Sequence, residues 1–358
     1  MITRASVGSF LLATMLCVAA LAQQNTPPIK PLGAAPSQAV GTSIHLDVVV
    51  APKSGALVAD LQQQDFTVLD NSAPQTITSF KAVTGREAPI EVIMVIDAVN
   101  ASFQTVSIAR PEIGKFLRAE GGRLAYPMAL VLFTDKGTQS LGDFSTDGNA
   151  LGAELDGTDV ALRSLGRSAG FYGAAERFGL SIEALGQLVA KMSTRPGRKI
   201  LLWVSPGWPL LSGPRVELDT KQQQQLFANI VTISTQLLQA RVTLYGIDPL
   251  GNGQSLSSVS YYKDFLKGVS KPSQVSIGNL GLQVLAVQSG GLALNFNNNV
   301  ASLLQESISD SSPYYEISFD PGPSDKRDEY HHLEVKIAKP GLTARTRQGY
   351  YSQPPPHN

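Results

Sequence analysis

The chain has 358 residues, with 29 Lys plus Arg balanced by 29 Asp plus Glu, 4 His and a single Cys. Zero net charge and no long basic run leave no electrostatic footprint for nucleic acid, whose binding depends on neutralising phosphates. At 43% hydrophobic and 16% charged, the composition is that of a globular chain with a sizeable core.

Met1 to Arg4 supply a short positive start, Val7 to Ala20 an apolar stretch, and Ala20-Leu21-Ala22 a small-x-small cleavage signal before Gln23. Residues 1–22 therefore read as a secretory signal peptide, because the apolar stretch is shorter than the roughly 20 residues that span a bilayer. Cys17 lies inside it, and the bulky Met15 and Leu16 argue against a lipoprotein signal. Cleavage leaves a chain without cysteine, which excludes disulfides, thiol catalysis and cysteine-held metal. The expected location is periplasmic or secreted, with no membrane span after cleavage. Residues 23–40 contain Pro27, Pro28, Pro31 and Pro36 and read as an extended, mobile linker.

Short alternating or β-branched runs follow at Ile44 to Val50, Phe66 to Leu69 and Thr76 to Val83, separated by turn residues. Residues 41–85 thus form a β segment. Residues 88–312 change to strand and helix in alternation. Ile90 to Ile96, Met128 to Phe133, Ile200 to Val204 and Val242 to Ile247 are near-continuous apolar runs, as parallel strands covered on both faces require. Phe171, Ala175, Phe178, Ile182, Leu185 and Val189 fall on one helical face, as do Leu226, Ile230, Ile233 and Leu237. A shorter helix at Leu280 to Gln288 leads into a strand at Leu292 to Phe296, and a further apolar-periodic segment runs from Val300 to Ile308. The fold class is α/β, a doubly wound and mostly parallel sheet. Residues 313–351 return to strand patterns and are expected to form a small β-sheet with 41–85, leaving 352–358 as a disordered tail.

The loop Asp97-Ala98-Val99-Asn100-Ala101-Ser102 follows the first central strand, where open α/β sheets bind ligands at their carboxyl edge. Asp97 reads there either as a ligand-binding carboxylate or as the cap of the next helix. Asp248 before Pro249 also belongs at that edge, as a turn residue or a contact. Trp203 reads as core, and Trp208, just beyond Ser205-Pro206-Gly207, reads as packing or as an exposed contact anchor.

The strands ending in Asp97, MALVLFTD, KILLWVSPGW and VTLYGIDPLG resemble successive strands of a von Willebrand factor type A domain. More closely, LDVVVAPKSGALVADLQQQDFTVLDNSAPQTITSF, VIDAVN, SPGWP, QVLAVQSGGLALNF and the closing RTRQGYY resemble VWFA-related domain proteins of the acidobacterial type, over roughly Ile44 to Tyr351. The resemblance implies partner binding at the carboxyl edge, and type A domains commonly hold Mg²⁺ there in a metal-ion-dependent adhesion site. Asp97 matches the first ligand of its DxSxS pattern, but Val99 and Ala101 stand where the serines belong, Ala169 where the threonine belongs and Pro206 where the later aspartate belongs. The implied site is degenerate. A rebuilt one would draw on Asp97, Asn100 and Ser102 with Asp135 or Ser168, and no cofactor is required by this reading.

His331 and His332 point to opposite faces of a strand and cannot share an ion, and no phosphate-binding glycine loop, Gly-x-Ser-x-Gly elbow or metalloprotease motif occurs. Enzyme activity is not expected. The leading expectation is an exported module that binds a protein or peptide partner through Asn100, Ser102, Ser205, Trp208 and Asp248. The alternatives are a structural subunit of an envelope assembly that pairs through a β-edge, and a metal-assisted hydrolase using Asp97 and Asp248.

Overall fold

The computed structural model describes residues 29–33, 43–52, 54–55, 57–84, 89–158, 171–209, 217–251, 261–322 and 326–353. The signal segment and Ser168 lie outside them. From the N-terminal side, β1 (Ile44–Pro52), β2 (Phe66–Asp70), β3 (Ala73–Gln75) and β4 (Ile77–Val83) precede the central layer. That layer is a sheet of seven strands. β5 (Ile90–Asp97), β6 (Arg123–Thr134), β9 (Arg198–Val204), β10 (Val242–Ile247) and the short β11 (Ala293–Leu294) run parallel in the order β11-β10-β9-β5-β6. β7 (Gly137–Ser140) and β8 (Ser145–Asp147) pair antiparallel with β6.

The apolar runs reflect burial on both faces. Val92, Met94 and Ile96 of β5 enter one hydrophobic cluster and Ile93 and Val95 the other, following the two-residue period of a strand. α1 (Phe103–Arg118), α2 (Gly148–Gly157) and α6 (Val300–Asp310) pack on the first face. α3 (Phe171–Ser193), α4 (Thr220–Gln239) and α5 (Leu282–Gln288) pack on the second. Each fully buried Leu, Ile or Val side chain contributes roughly 1.5–3 kcal/mol of transfer free energy to these two cores. β5 leads through α1 to β6 on one side, whereas β9 lies on its other side, so the direction of winding reverses between β5 and β9. The sequence reading places a helix after the Asp97 loop without tracing its extent or apolar face, and it lacks α2. Val106, Ala109, Ile113, Phe116 and Leu117 supply a helical stripe to α1, but Pro111 stands inside it and masks the signal.

The flanking strands form two antiparallel sheets rather than the single small sheet expected. One has the order β14-β1-β12-β4 and the other β15-β13-β2-β3, with β12 (Tyr314–Phe319), β13 (Tyr330–Ile337), β14 (Leu342–Arg345) and β15 (Gly349–Tyr351). Each sheet has one apolar face, and the two bury these faces against one another: Leu46, Val48, Ile317 and Phe319 meet Val68, Leu333 and Val335 in one core.

A charged cluster ties this sandwich to the α/β layer. Asp47 of β1 accepts from Arg241, which also bonds Glu316 at 2.8 Å, and lies 3.9 Å from Arg198. Arg198, buried at 1% exposure, donates to the Ser311 carbonyl at 2.6 Å and covers the Tyr314 ring.

Two boundaries need correction. Part of the supposed spacer is docked: Ile29 and Leu32 pack on the core, and Asn229 of α4 bonds the Lys30 carbonyl at 2.9 Å and the Leu32 amide at 3.1 Å. Ser352, assigned to the tail, is buried and exchanges backbone hydrogen bonds with Asp328 and Glu329.

Candidate functional site at the carboxyl edge

The parallel strands gather the expected residues along one rim. The amide of Ala98 bonds Phe133, that of Ser205 bonds Ile247 and that of Asp248 bonds Leu294, so each strand's register extends to its carboxyl end. Asp97 and Ser205 sit at the winding reversal itself, and Asp248 lies one strand further on.

Asp97 is fully buried, and both its oxygens are taken by donors from the protein. Oδ1 accepts from the Val99 amide at 3.0 Å and the Asn100 amide at 2.9 Å; Oδ2 accepts from Asn100 Nδ2 at 2.8 Å and Trp203 Nε1 at 2.9 Å. Burial pushes its pKa up, while the bonds from Trp203, Asn100 and Ser205 pull it down. An ionised carboxylate has about four lone-pair positions, and these donors occupy them. The residue is a fastener for the β5 loop. It does not cap α1 either, since Ser102 does so by accepting from the Thr105 amide at 3.0 Å.

The remaining residues divide into support and surface. Asn100 bonds Ser181 of α3 at 2.8 Å and so ties the loop to the second helical layer. Ser205 is buried and accepts from the Gly207 amide at 3.2 Å. Gly207 has φ +113° and lies so close to Gln283 that a Cβ would stand 2.6 Å from its side-chain nitrogen, which fixes the sharp turn. That turn sends Trp208 inward. At 3% exposure, edge-on to Trp203 with ring centres 5.2 Å apart, Trp208 is a packing residue and not the exposed contact anchor expected. Asp248 is half-buried and folds its own turn by accepting from the Leu250 amide at 2.9 Å, and burial raises its pKa. Asp135 is exposed in the β6–β7 turn, with no ion pair to this cluster among the described residues.

This donor set does not fit a Mg²⁺ site. The ion needs open oxygen donors near 2.1 Å, whereas the one carboxylate in the right place faces four N–H groups. Asp248 offers no second ligand beside it: β9 separates β5 from β10, which puts the two strand ends about 10 Å apart at the usual interstrand spacing. No group of three or more His, Cys, Asp or Glu suited to a metal occurs among the described residues.

Among exposed polar residues such as Gln104 and Asn297, the rim also presents large apolar side chains, which the sequence reading missed. Among the described residues, Phe103 is 64% exposed, Leu250 36% and Phe296 57%. They follow β5, β10 and β11 respectively. The last two occupy adjoining loops, since a Cβ on Gly251 would lie 2.5 Å from the Asn297 carbonyl carbon. The available signal was position: a large apolar residue directly after an N-cap, an Asp-Pro turn or a strand end has no period placing it in the core.

No protein-family model matches the chain, and no curated protein matches its sequence. Among solved structures, proximal thread matrix protein 1 from the mussel byssus aligns with 68% of this chain at 10% identity and TM-score 0.38, and the chain spans about half (51%) of that protein's length. The human COPII-coat protein Sec24c aligns with 74% of this chain and 44% of its own at 10% identity and TM-score 0.32. Manganese-loaded Plasmodium vivax TRAP protein aligns with 78% of this chain and 99% of its own at 11% identity and TM-score 0.31. Likeness of this size carries no functional information. The mixed α/β architecture, with its central mostly parallel sheet and flanking antiparallel sheets, is compatible with a type A-like fold.

Proposed function

We propose that this chain is an exported, type A-like recognition module of the VWFA-related kind, which binds a protein or peptide partner through the apolar carboxyl edge of its central sheet and needs no metal. One observation carries the reading: three large hydrophobic side chains, Phe103, Leu250 and Phe296, stand exposed at the ends of three parallel strands. Exposed apolar groups of this kind are favourable to bury against a partner, and aromatic residues are enriched in interface cores. Beneath them Asp97, Asn100, Ser205 and Trp208 hold the loops in place. Export is supported by the N-terminal sequence, with its basic start, apolar stretch and Ala20-Leu21-Ala22. A hydrolase using Asp97 finds no support in a carboxylate whose lone pairs are filled.

The test is a combined Phe103→Ser, Leu250→Ser, Phe296→Ser variant, assayed by affinity capture from the envelope and medium of the producing cells. The reading expects a specific wild-type partner to be lost from the variant while the thermal midpoint stays close to wild type, because the three side chains are exposed. Retention of every captured protein overturns it.

A further inference from the structure

Residues 29–33 have no helix or strand of their own and lie as a strap against α3 and α4. Leu32 sits over Gly186 of α3, where a Cβ would stand 4.0 Å from its side chain, and its amide donates to Asn229 of α4 at 3.1 Å. Any side chain longer than alanine at position 186 would compete for the space that Leu32 uses. Asn229 also donates through Nδ2 to the Lys30 carbonyl at 2.9 Å, so a single amide reads the strap backbone at two points. A residue of a parallel strand pairs with its neighbour in the same way, through one N–H and one C=O. The pattern needs residues 30–32 extended, with the Lys30 carbonyl and the Leu32 amide on one side. Pro31, which has no N–H to satisfy, is the residue between them.

Asn229 is 3% exposed and stands in the middle of α4. Gln225, one turn earlier, donates to its Oδ1 at 3.0 Å; with the Leu32 amide this fills both lone pairs and fixes which way the amide points. A buried asparagine inside a helix is costly unless it is hydrogen-bonded, and among the described residues its bonds outside α4 all go to the strap. The strap itself is lightly held. Ile29 and Leu32 are half-buried, Lys30, Pro31 and Gly33 are exposed, and the two bonds to Asn229 complete its described attachments. Those gains are of the same order as the conformational entropy lost in ordering residues 29–33, so the strap detaches readily. Residues 34–42 tether it, which keeps its effective concentration at roughly millimolar and lets it return.

We propose that the α3–α4 groove is a second recognition site, for an extended apolar-x-Pro-apolar peptide of a partner protein, and that residues 29–32 are a detachable strap that masks it. Asn229 reads the peptide backbone, the space over Gly186 takes the second apolar side chain, and the strap competes from within the same chain. The site lies halfway along α4 on the second helical layer, apart from the carboxyl-edge residues Phe103, Leu250 and Phe296.

The probe is a fluorescein-labelled Pro-Pro-Ile-Lys-Pro-Leu-Gly peptide, titrated with the whole mature protein and followed by anisotropy. An Ile29→Ser, Leu32→Ser variant frees the strap and is expected to bind the peptide at least tenfold more tightly than wild type, with a thermal midpoint close to wild type. Adding Gly186→Leu to that variant fills the groove while improving helix propensity, and is expected to weaken binding at least tenfold. In wild type, millimolar peptide is expected to speed hydrogen exchange of the Leu32 amide as the strap is displaced. The Phe103→Ser, Leu250→Ser, Phe296→Ser variant is expected to take the peptide as wild type does, so this proposal and the carboxyl-edge reading fail independently. Absence of saturable binding to the freed variant at millimolar protein, equal affinity for wild type, or binding indifferent to Gly186→Leu each overturns it. A freed variant that melts far below wild type makes the strap a fixed part of the fold and overturns it as well.

Discussion

Replacing Asp97 with asparagine probes the carboxyl edge most sharply. The amide keeps the shape of the carboxylate but converts one oxygen to an NH₂ group. Whichever way it turns, that group meets two N–H donors: the Val99 and Asn100 amides on one side, or Asn100 Nδ2 and Trp203 Nε1 on the other. Two hydrogen bonds to a charged acceptor are lost, at about 1.5–3 kcal/mol each. Relief of the burial that raises the Asp97 pKa offsets part of this loss, leaving a net destabilisation of about 3 kcal/mol. Urea unfolding followed by tryptophan fluorescence suits the measurement, because both tryptophans of the chain, Trp203 and Trp208, surround the site. With a slope of about 3 kcal/mol/M, the midpoint is expected to fall by about 1 M. Millimolar Mg²⁺ or Mn²⁺ is expected to leave both midpoints where they are. An unchanged midpoint in Asp97→Asn refutes the reasoning, as does a wild-type midpoint that metal raises and the substitution makes indifferent to metal.

Asp47→Ala is expected to cost about 3–5 kcal/mol in the same assay, because it leaves the buried Arg198 without its carboxylate partner and Arg241 with Glu316 alone. His331 bonds Asp70 at 2.9 Å, chiefly for which its pKa is raised from 6.5; the stability it supplies is full below that value and lost as pH climbs through the folded pKa. Thermal midpoints across neutral pH are therefore expected to fall less steeply in His331→Gln than in wild type, and parallel profiles would refute this. Trp208→Ala is expected to lower stability by about 3–5 kcal/mol, whereas Trp208→Phe is expected to preserve partner capture; loss of capture in a stably folded Trp208→Phe would restore the residue to the contact surface.

The sequence made the central strands legible because burial on both faces leaves no polar interruption, so Val242 to Ile247 and β10 coincide. The rim was legible for the same reason: once strands are parallel, the residues that end them share an edge, and Asp97, Ser205 and Asp248 do so. What each residue does there was not. A buried carboxylate serving as a hydrogen-bond hub and one serving as a metal ligand have the same sequence signature, and only the direction of the Trp203 and Asn100 side chains separates them. Trp208 depends likewise on a turn set by Gly207. The splitting of the flanking strands into two sheets follows from pairings more than two hundred residues apart, such as Leu46 with Ile317 and Val68 with Val335, which local patterns do not encode.

The central claim is that partner recognition takes place at the apolar carboxyl edge. Site-specific photo-crosslinking in the producing cells addresses it directly, with a photoreactive residue placed in turn at Phe103, Leu250 and Phe296 and, as a control at the amino end of β6, at the exposed Arg123. A discrete adduct from the three edge positions and none from Arg123 is the predicted result; an adduct from Arg123 with none from the edge would contradict the account.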